Sequence, residues 1–320
     1  MFFKQAQLYH LTNKFPSKDY AAIWHEQLQE MEFTACLPGV ASSFGFVPPY
    51  RSDLDTGTDL KEKFVVPISD SLFLMCLQLE DKVLPAQVVR QATEERISEI
   101  TRDNQQKPTR ERVRQLRDDV VSSLLPRAFS KLQRVNILVD TERGRIIIDT
   151  TTGKSIEMLW VAVKRVFPEW KVDWVDARSC IQNMTSWLKS DAPDGFSIQK
   201  QVVLRDPQQQ MRVIRAQQQD LGHSAIQSLL GEGCNVIQLA LSWRDQVSFT
   251  MTDTCALRSM RFADSLLELG HIDAGEVDPA QQFLSDSLLF GETLRQLYDD
   301  IMGVMQPAQH AAVSAEAVLA

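Results

Sequence analysis

The chain has 320 residues and a mass of 36.3 kDa, enough for about two domains or one elongated unit with subdomains. Hydrophobic residues make up 44% and charged residues 24%, which excludes wholesale disorder, collagen and coiled-coil rods. The net charge of -8 and pI near 5.3 argue, taken alone, against a polyanionic partner.

No apolar run is longer than Leu72 to Leu77, far short of the roughly 20 residues a spanning helix needs. The N-terminus turns polar at Lys4-Gln5, without a secretory h-region. The five cysteines are scattered and never spaced as CxxC. These features predict a reduced, cytoplasmic protein without a membrane association.

In chain order, Phe3 to Leu11 alternates as a strand. Ser17 caps a helix over Lys18 to Met31, with Ala21, Trp24 and Leu28 on one face. The Gly45-Phe46-Val47-Pro48-Pro49 stretch predicts a loop, because two prolines continue neither element. Phe64 to Val66 and Ser71 to Leu79 read as strands. Pro85 opens a helix, Lys107-Pro108 breaks it, and Thr109 caps a second one. There Val113, Leu116, Val120 and Leu124 form a buried stripe, and Arg110, Arg114 and Arg117 share another face. Pro126 ends this helical arm.

Asn136 to Asp140 and Arg145 to Asp149 form a hairpin, with Gly144 supplying positive φ. A helix over Ser155 to Phe167 follows. Strands are predicted at Lys171–Val175, Phe196–Leu204, Met211–Ala216, Val236–Leu241, Gln246–Thr252 and Leu257–Phe262. Short helices fit at Ile181–Lys189 and Ser224–Leu230. Val277 to Met302 is a long acidic helix, and Gln306 to Ala320 an Ala-rich frayed tail. The predicted class is α+β, mostly antiparallel, with helical projections. It divides into an N-terminal module (1–81), a basic helical arm (82–130), a central sheet module (131–263), an acidic helical segment (264–303) and a disordered tail (304–320).

The charge is unevenly spread. Residues 264–300 hold nine acidic residues and one basic one, which accounts for the whole excess. Residues 82–134 hold twelve Lys or Arg and seven Asp or Glu. A protein with one basic face and one acidic end can still bind a polyanion.

Thr152-Gly153-Lys154-Ser155 stands between a strand and a helix, the setting of a phosphate-binding loop. The glycine needed five residues before Gly153 is Ile148, however, so a plain strand-to-helix turn is the stronger reading. His10 and His25 read as surface or satisfied core groups, and Cys180 and Cys234 as small core residues. No HExxH, GxSxG or GxGxxG occurs. The adjacent pairs Asp118-Asp119 and Asp299-Asp300 read as solvated faces. The residues point to no catalytic activity, cofactor or metal. Arg110, Arg114 and Arg117 read either as a solvated face paired with Glu111 and Asp118 or as phosphate contacts. Phe129 is either a core plug beneath the helix or an exposed interface aromatic with Arg127 beside it.

Leu124-Leu125-Pro126-Arg127-Ala128-Phe129-Ser130 resembles the LLPRAFS signature of the RdgC family of bacterial recombination-associated DNA-binding proteins. Collinear resemblances follow over roughly residues 1 to 300. They include Phe3-Lys4, Gly45 to Pro49, Lys82-Val83-Leu84-Pro85, Val139-Asp140-Thr141 with Gly144, Val213-Ile214-Arg215-Ala216 with Gln219-Asp220-Leu221, Leu239-Ala240-Leu241 with Trp243, and Leu257 to Asp264.

The resemblance implies a non-catalytic protein whose horseshoe-shaped α+β subunits close head to tail into a ring-shaped homodimer. That ring encircles double-stranded DNA without sequence preference, in the cytoplasm at the nucleoid, and restrains RecA. It implies Phe129 at one ring-closing interface and Gln218 and Gln219 at the other. For DNA contact, the resemblance and the charge pattern together suggest Lys4, Arg90, Arg110, Arg114, Arg117, Arg127, Lys131, Arg215, Arg258 and Arg261. The chain departs from the family's lysines at Gln217-Gln218-Gln219, at Gln238 and within Leu257 to Phe262. Each lost phosphate contact lowers the salt slope by about 0.9. The competing readings are a RecA antagonist that needs no DNA and a nucleotide hydrolase using Lys154 and Ser155.

Overall fold

The computed structural model describes residues 3–12, 20–51, 58–104, 107–175, 177–208, 212–270 and 278–305. The Ser17 cap, the first turn expected at Lys18, Met211, Val277 and the tail from Gln306 lie outside the described residues.

Twelve strands and eight α-helices make two antiparallel sheets among the described residues. The first sheet contains β1 (Gln7–Leu11), β2 (Ser42–Val47), β3 (Val66–Pro67), β4 (Leu72–Val83), β5 (Phe129–Asp140), β6 (Arg145–Ile148) and β7 (Val172–Trp174). Its order is β2-β4-β5-β6-β1-β7, with β3 beside β4. The second contains β8 (Phe196–Arg205), β9 (Val213–Gln217), β10 (Asn235–Trp243), β11 (Val247–Thr252) and β12 (Leu257–Phe262), in the order β12-β11-β10-β8-β9. The α+β antiparallel expectation holds. The β4–β5 ladder runs unbroken from Leu72↔Asp140 to Val83↔Phe129, so the expected division at residues 81 and 131 falls within one sheet.

Leu72 to Leu77 is buried on both faces of β4, which explains why this run does not alternate. One face carries Phe73, Met75, Leu77, Val135 and Ile137. Trp24 and Leu28 of α1 (Tyr20–Gln29) and Leu159 and Val163 of α4 (Gly153–Val166) cover it. The other face carries Leu8, Leu72, Leu74, Leu138 and Ile147. It shares one core with Val202, Leu204, Leu239, Leu241 and Met251 of the second sheet. Into that core fit α5 (Ala177–Lys189), α6 (Ser224–Gly231), Leu266 of α7 (Asp264–Gly270) and α8 (Pro279–Val304).

Several sequence expectations need correction. Gly45 to Val47 belongs to β2, because the prolines begin only after it. A Cβ at Gly45 would stand 2.5 Å from the Phe33 Cα, so glycine lets two backbones meet there. β4 and β5 are longer than predicted. In α3 (Arg110–Leu124) only Leu116 of the expected stripe is buried, while Val113, Val120 and Leu124 are half-buried. That helix packs on α2 (Ala86–Asn104), and Val89, Leu116 and Leu125 are buried. Asp299-Asp300 is not a solvated face. Asp299 accepts bonds from Arg145 (2.6 Å) and Arg143 (3.2 Å), and Asp300 accepts from Trp243 Nε1 and Arg244, both at 2.7 Å.

Arg295 of α8 grips Asp140 of β5 through Nε (2.7 Å) and Nη2 (3.1 Å), and also donates to Ser71 Oγ. Asp140 caps the hairpin turn as well, accepting from the Glu142 and Arg143 amides. Removing one partner of a buried pair commonly costs about 3–5 kcal/mol. Arg295→Ala is expected to lose that much in urea unfolding, and a loss under about 1 kcal/mol would show that water replaces the guanidinium.

Burial pushes the Asp149 carboxyl up to about 6, against the hydrogen bonds from Asn136. A carboxyl raised in the folded state favours its protonated form. The stability it contributes is therefore complete below about pH 4 and lost as pH rises through about 6, on the order of 2–3 kcal/mol. Unfolding free energy measured across that window should fall for the native chain and stay flatter in Asp149→Asn.

Candidate nucleic-acid interface

The five strands of the second sheet carry Lys200, Arg205, Arg215, Arg258 and Arg261 and no Asp or Glu. In a chain of net charge -8, that is a strong local bias. The buried side chains of α5, α6, α7 and α8 share one core with Val202, Leu204, Leu239 and Met251, which lie on one face of this sheet. The opposite face carries buried Val203, Ala240, Ser242 and Thr252, half-buried Gln201, Gln238, Ser248 and Thr250, and exposed Arg215, Arg258 and Arg261.

A local irregularity creates part of this face. Arg258 and Arg261 are three residues apart, a spacing that puts side chains on opposite faces of a regular strand. Ser259 has φ +53°, and the register shifts between Ser248 and Thr250. Arg258 then lies opposite Thr250 and Arg261 opposite Ser248, so both arginines join one face while Met260 stays buried.

Lys4 comes to the same edge. Ala6 exchanges backbone bonds with Leu257 (2.7 and 2.8 Å), and the Lys4 carbonyl accepts the Met260 amide at 2.8 Å. This segment also links the two sheets, since β1 follows directly. The structure thus brings Lys4, Arg258 and Arg261 together, with Arg215 on the far edge. None of the four has a carboxylate within 4 Å among the described residues.

The remaining cations belong to the arm. Arg110, Arg114 and Arg117 are exposed on α3, and the described residues show no ion pair to Glu111 or Asp118. Arg90 of α2 is exposed and pairs with Glu94 at 3.0 Å, so it is less available than the others. Leu125–Arg127 forms a 3-10 turn into β5. There Arg127 and Lys131 are exposed, and Phe129 is 87% exposed; it is not a core plug. Val83, its partner across the ladder, is exposed too. Gln218 and Gln219 are exposed in the turn after β9, where Gln218 has φ +55° and donates its amide to the Lys200 carbonyl.

The phosphate-loop reading finds little support. Lys154 is ion-paired with Asp81, and Ser155 is buried with its hydroxyl on Gln133 Oε1 at 3.4 Å. His25 Nδ1 accepts the Phe64 amide, and His223 caps α6. Cys180 and Cys234 are buried core residues. Among the described residues no group of three or more His, Cys, Asp or Glu is placed to hold a metal ion, and no helix is long and apolar enough to cross a membrane.

Fold and site together define an α+β protein of two antiparallel sheets, with an acid-free sheet face and a basic helical arm. Comparison with known proteins places it further. The sequence model of a family described as "Putative exonuclease, RdgC" matches residues 1–307. Curated relatives bear the name "Recombination-associated protein RdgC". The Pseudomonas syringae pv. tomato protein is 29% identical over 95% of this chain and 98% of its own. The Pasteurella multocida protein is 30% identical over 94% and 96%, and the Salmonella paratyphi B protein 28% over 94% and 97%. The chain belongs to the RdgC family.

The sequence reading named the arginines but missed the sheet as a unit. The available signal was the lack of any carboxylate in strands β8 to β12. Valine at position 259 would force a β-branched residue into positive φ. Ser259→Val is expected to lower the urea midpoint by the equivalent of about 1–2 kcal/mol, and Ser259→Gly to hold it.

Proposed function

We propose that this protein is a non-catalytic, sequence-independent binder of double-stranded DNA. It acts as a ring-closing homodimer at the nucleoid and modulates RecA-dependent recombination. The observation that carries the proposal is the acid-free face of the second sheet, with its exposed arginines, in an otherwise acidic member of a family named for recombination. Phosphate contacts from Lys4, Arg215, Arg258 and Arg261 supply affinity without reading bases. The arm adds Arg110, Arg114, Arg117, Arg127 and Lys131. Phe129, Gln218 and Gln219 serve the two closures of the ring. A large aromatic left 87% exposed beside an exposed valine favours a protein interface.

The test is an anisotropy titration of random-sequence linear duplex across a salt series. Affinity should fall steeply with salt and ignore sequence. Replacing Arg110, Arg114 and Arg117 by alanine should lower the slope by up to about 2.7; an unaltered slope would remove the arm from the interface. Phe129→Ala should weaken self-association by about 2 kcal/mol in sedimentation. Duplex incubated with magnesium should keep its length, and steady trimming of its ends would favour the exonuclease description instead. No binding at low salt would leave direct antagonism of RecA as the reading to pursue.

A further inference from the structure

The exposed arginines of the second sheet stand on its two edges. β12 carries Arg258 and Arg261, and β9 carries Arg215. Register places all three on one face. Arg215 lies opposite Val203, Val203 opposite Gln238, and Gln238 opposite Thr252; two residues along β11, Thr250 lies opposite Arg258. Three strands intervene, so the edges are four interstrand steps apart, about 19 Å at about 4.8 Å each. Between them the face carries buried Val203, Ala240, Ser242 and Thr252, half-buried Gln201, Gln238, Ser248 and Thr250, and no carboxylate.

The major groove of B-DNA is about 12 Å wide between phosphate surfaces, which sets the phosphorus atoms across it about 18 Å apart. The minor groove, about 6 Å wide, brings them to about 12 Å. We infer that this face straddles the major groove, with Arg215 on the phosphates of one strand and Arg258, Arg261 and Lys4 on those of the other. The inference rests on the duplex-binding reading and deepens it. The spacing of two phosphate rows is what this sheet recognises, and Arg215 is the residue that tells duplex from single strand. A single strand lying along β12 satisfies one edge and leaves Arg215 without a phosphate.

The experiment compares Arg215→Gln with the double variant Arg258→Gln/Arg261→Gln. Both are titrated with a short random duplex and with one of its strands over the same salt series. All three side chains are exposed, and circular dichroism checks the fold. On duplex, Arg215→Gln should lower the salt slope by about 0.9 and the double variant by about 1.8. On single strand, Arg215→Gln should leave the slope unchanged, while the double variant lowers it by about 1.4. An equal loss on both substrates in Arg215→Gln overturns the straddling geometry, as does no loss on duplex while the native chain binds steeply. If the native chain shows no duplex binding at all, the duplex reading itself fails, and the inference with it.

Discussion

Helix α8 holds the two sheets together, and it does so with charge as well as apolar surface. Its Phe290, Leu294, Leu297 and Ile301 fill the core between the sheets. Its Arg295 reaches Asp140 of the first sheet. The neighbours Asp299 and Asp300 diverge around the helix, one to Arg143 and Arg145 of the first sheet, the other to Trp243 and Arg244 of the second. Burial raises the Asp299 carboxyl, but the hydrogen bonds from Arg145 and Arg143 outweigh it and hold the group below its usual range. Because the second sheet is positioned by this helix and by the Ala6–Leu257 bridge, the geometry of the cationic face depends on contacts that none of its three arginines makes.

Much of the fold was legible in the sequence, since its signals were local. Thr109 accepts the Arg112 amide as a cap should. Gly144 takes φ +58° where a Cβ would press to 2.8 Å from the Leu11 carbonyl oxygen. The two helices after Pro85 and the five strands after residue 195 appear close to the expected bounds. What failed was information carried by distant partners. The Asp299-Asp300 pair looks solvated until Arg143, Arg145 and Arg244 are folded onto it, and Gly45 looks like a loop residue until Phe33 comes alongside.

The candidate site was legible in pieces. Arg215, Arg258 and Arg261 are identifiable one by one, yet strand alternation places Arg258 and Arg261 on opposite faces. Only the Ser259 bulge joins them, and a serine at positive φ leaves no clear mark in sequence. Lys4 lies more than 250 positions from its neighbours on the sheet edge, reached through the Ala6–Leu257 bond pair and the Met260 amide on its own carbonyl. The expected weight on the arm followed from counting cations in a linear window. The sheet's bias arises instead from what its strands lack.

That lack bears on how the molecule meets a charged rod. The acidic excess, which equals the net charge of -8, is confined to residues 264–300, and the strands of the second sheet carry none of it. At physiological ionic strength the field decays over about 8 Å. On the proposed reading a polyanion is attracted only when the cationic face is already turned towards it, and the net charge of -8 opposes other approaches. Such a molecule pays little for wrong encounters, because they do not stick. Its surface charge acts as a filter on orientation, and a uniformly basic protein of the same size would lack that filter.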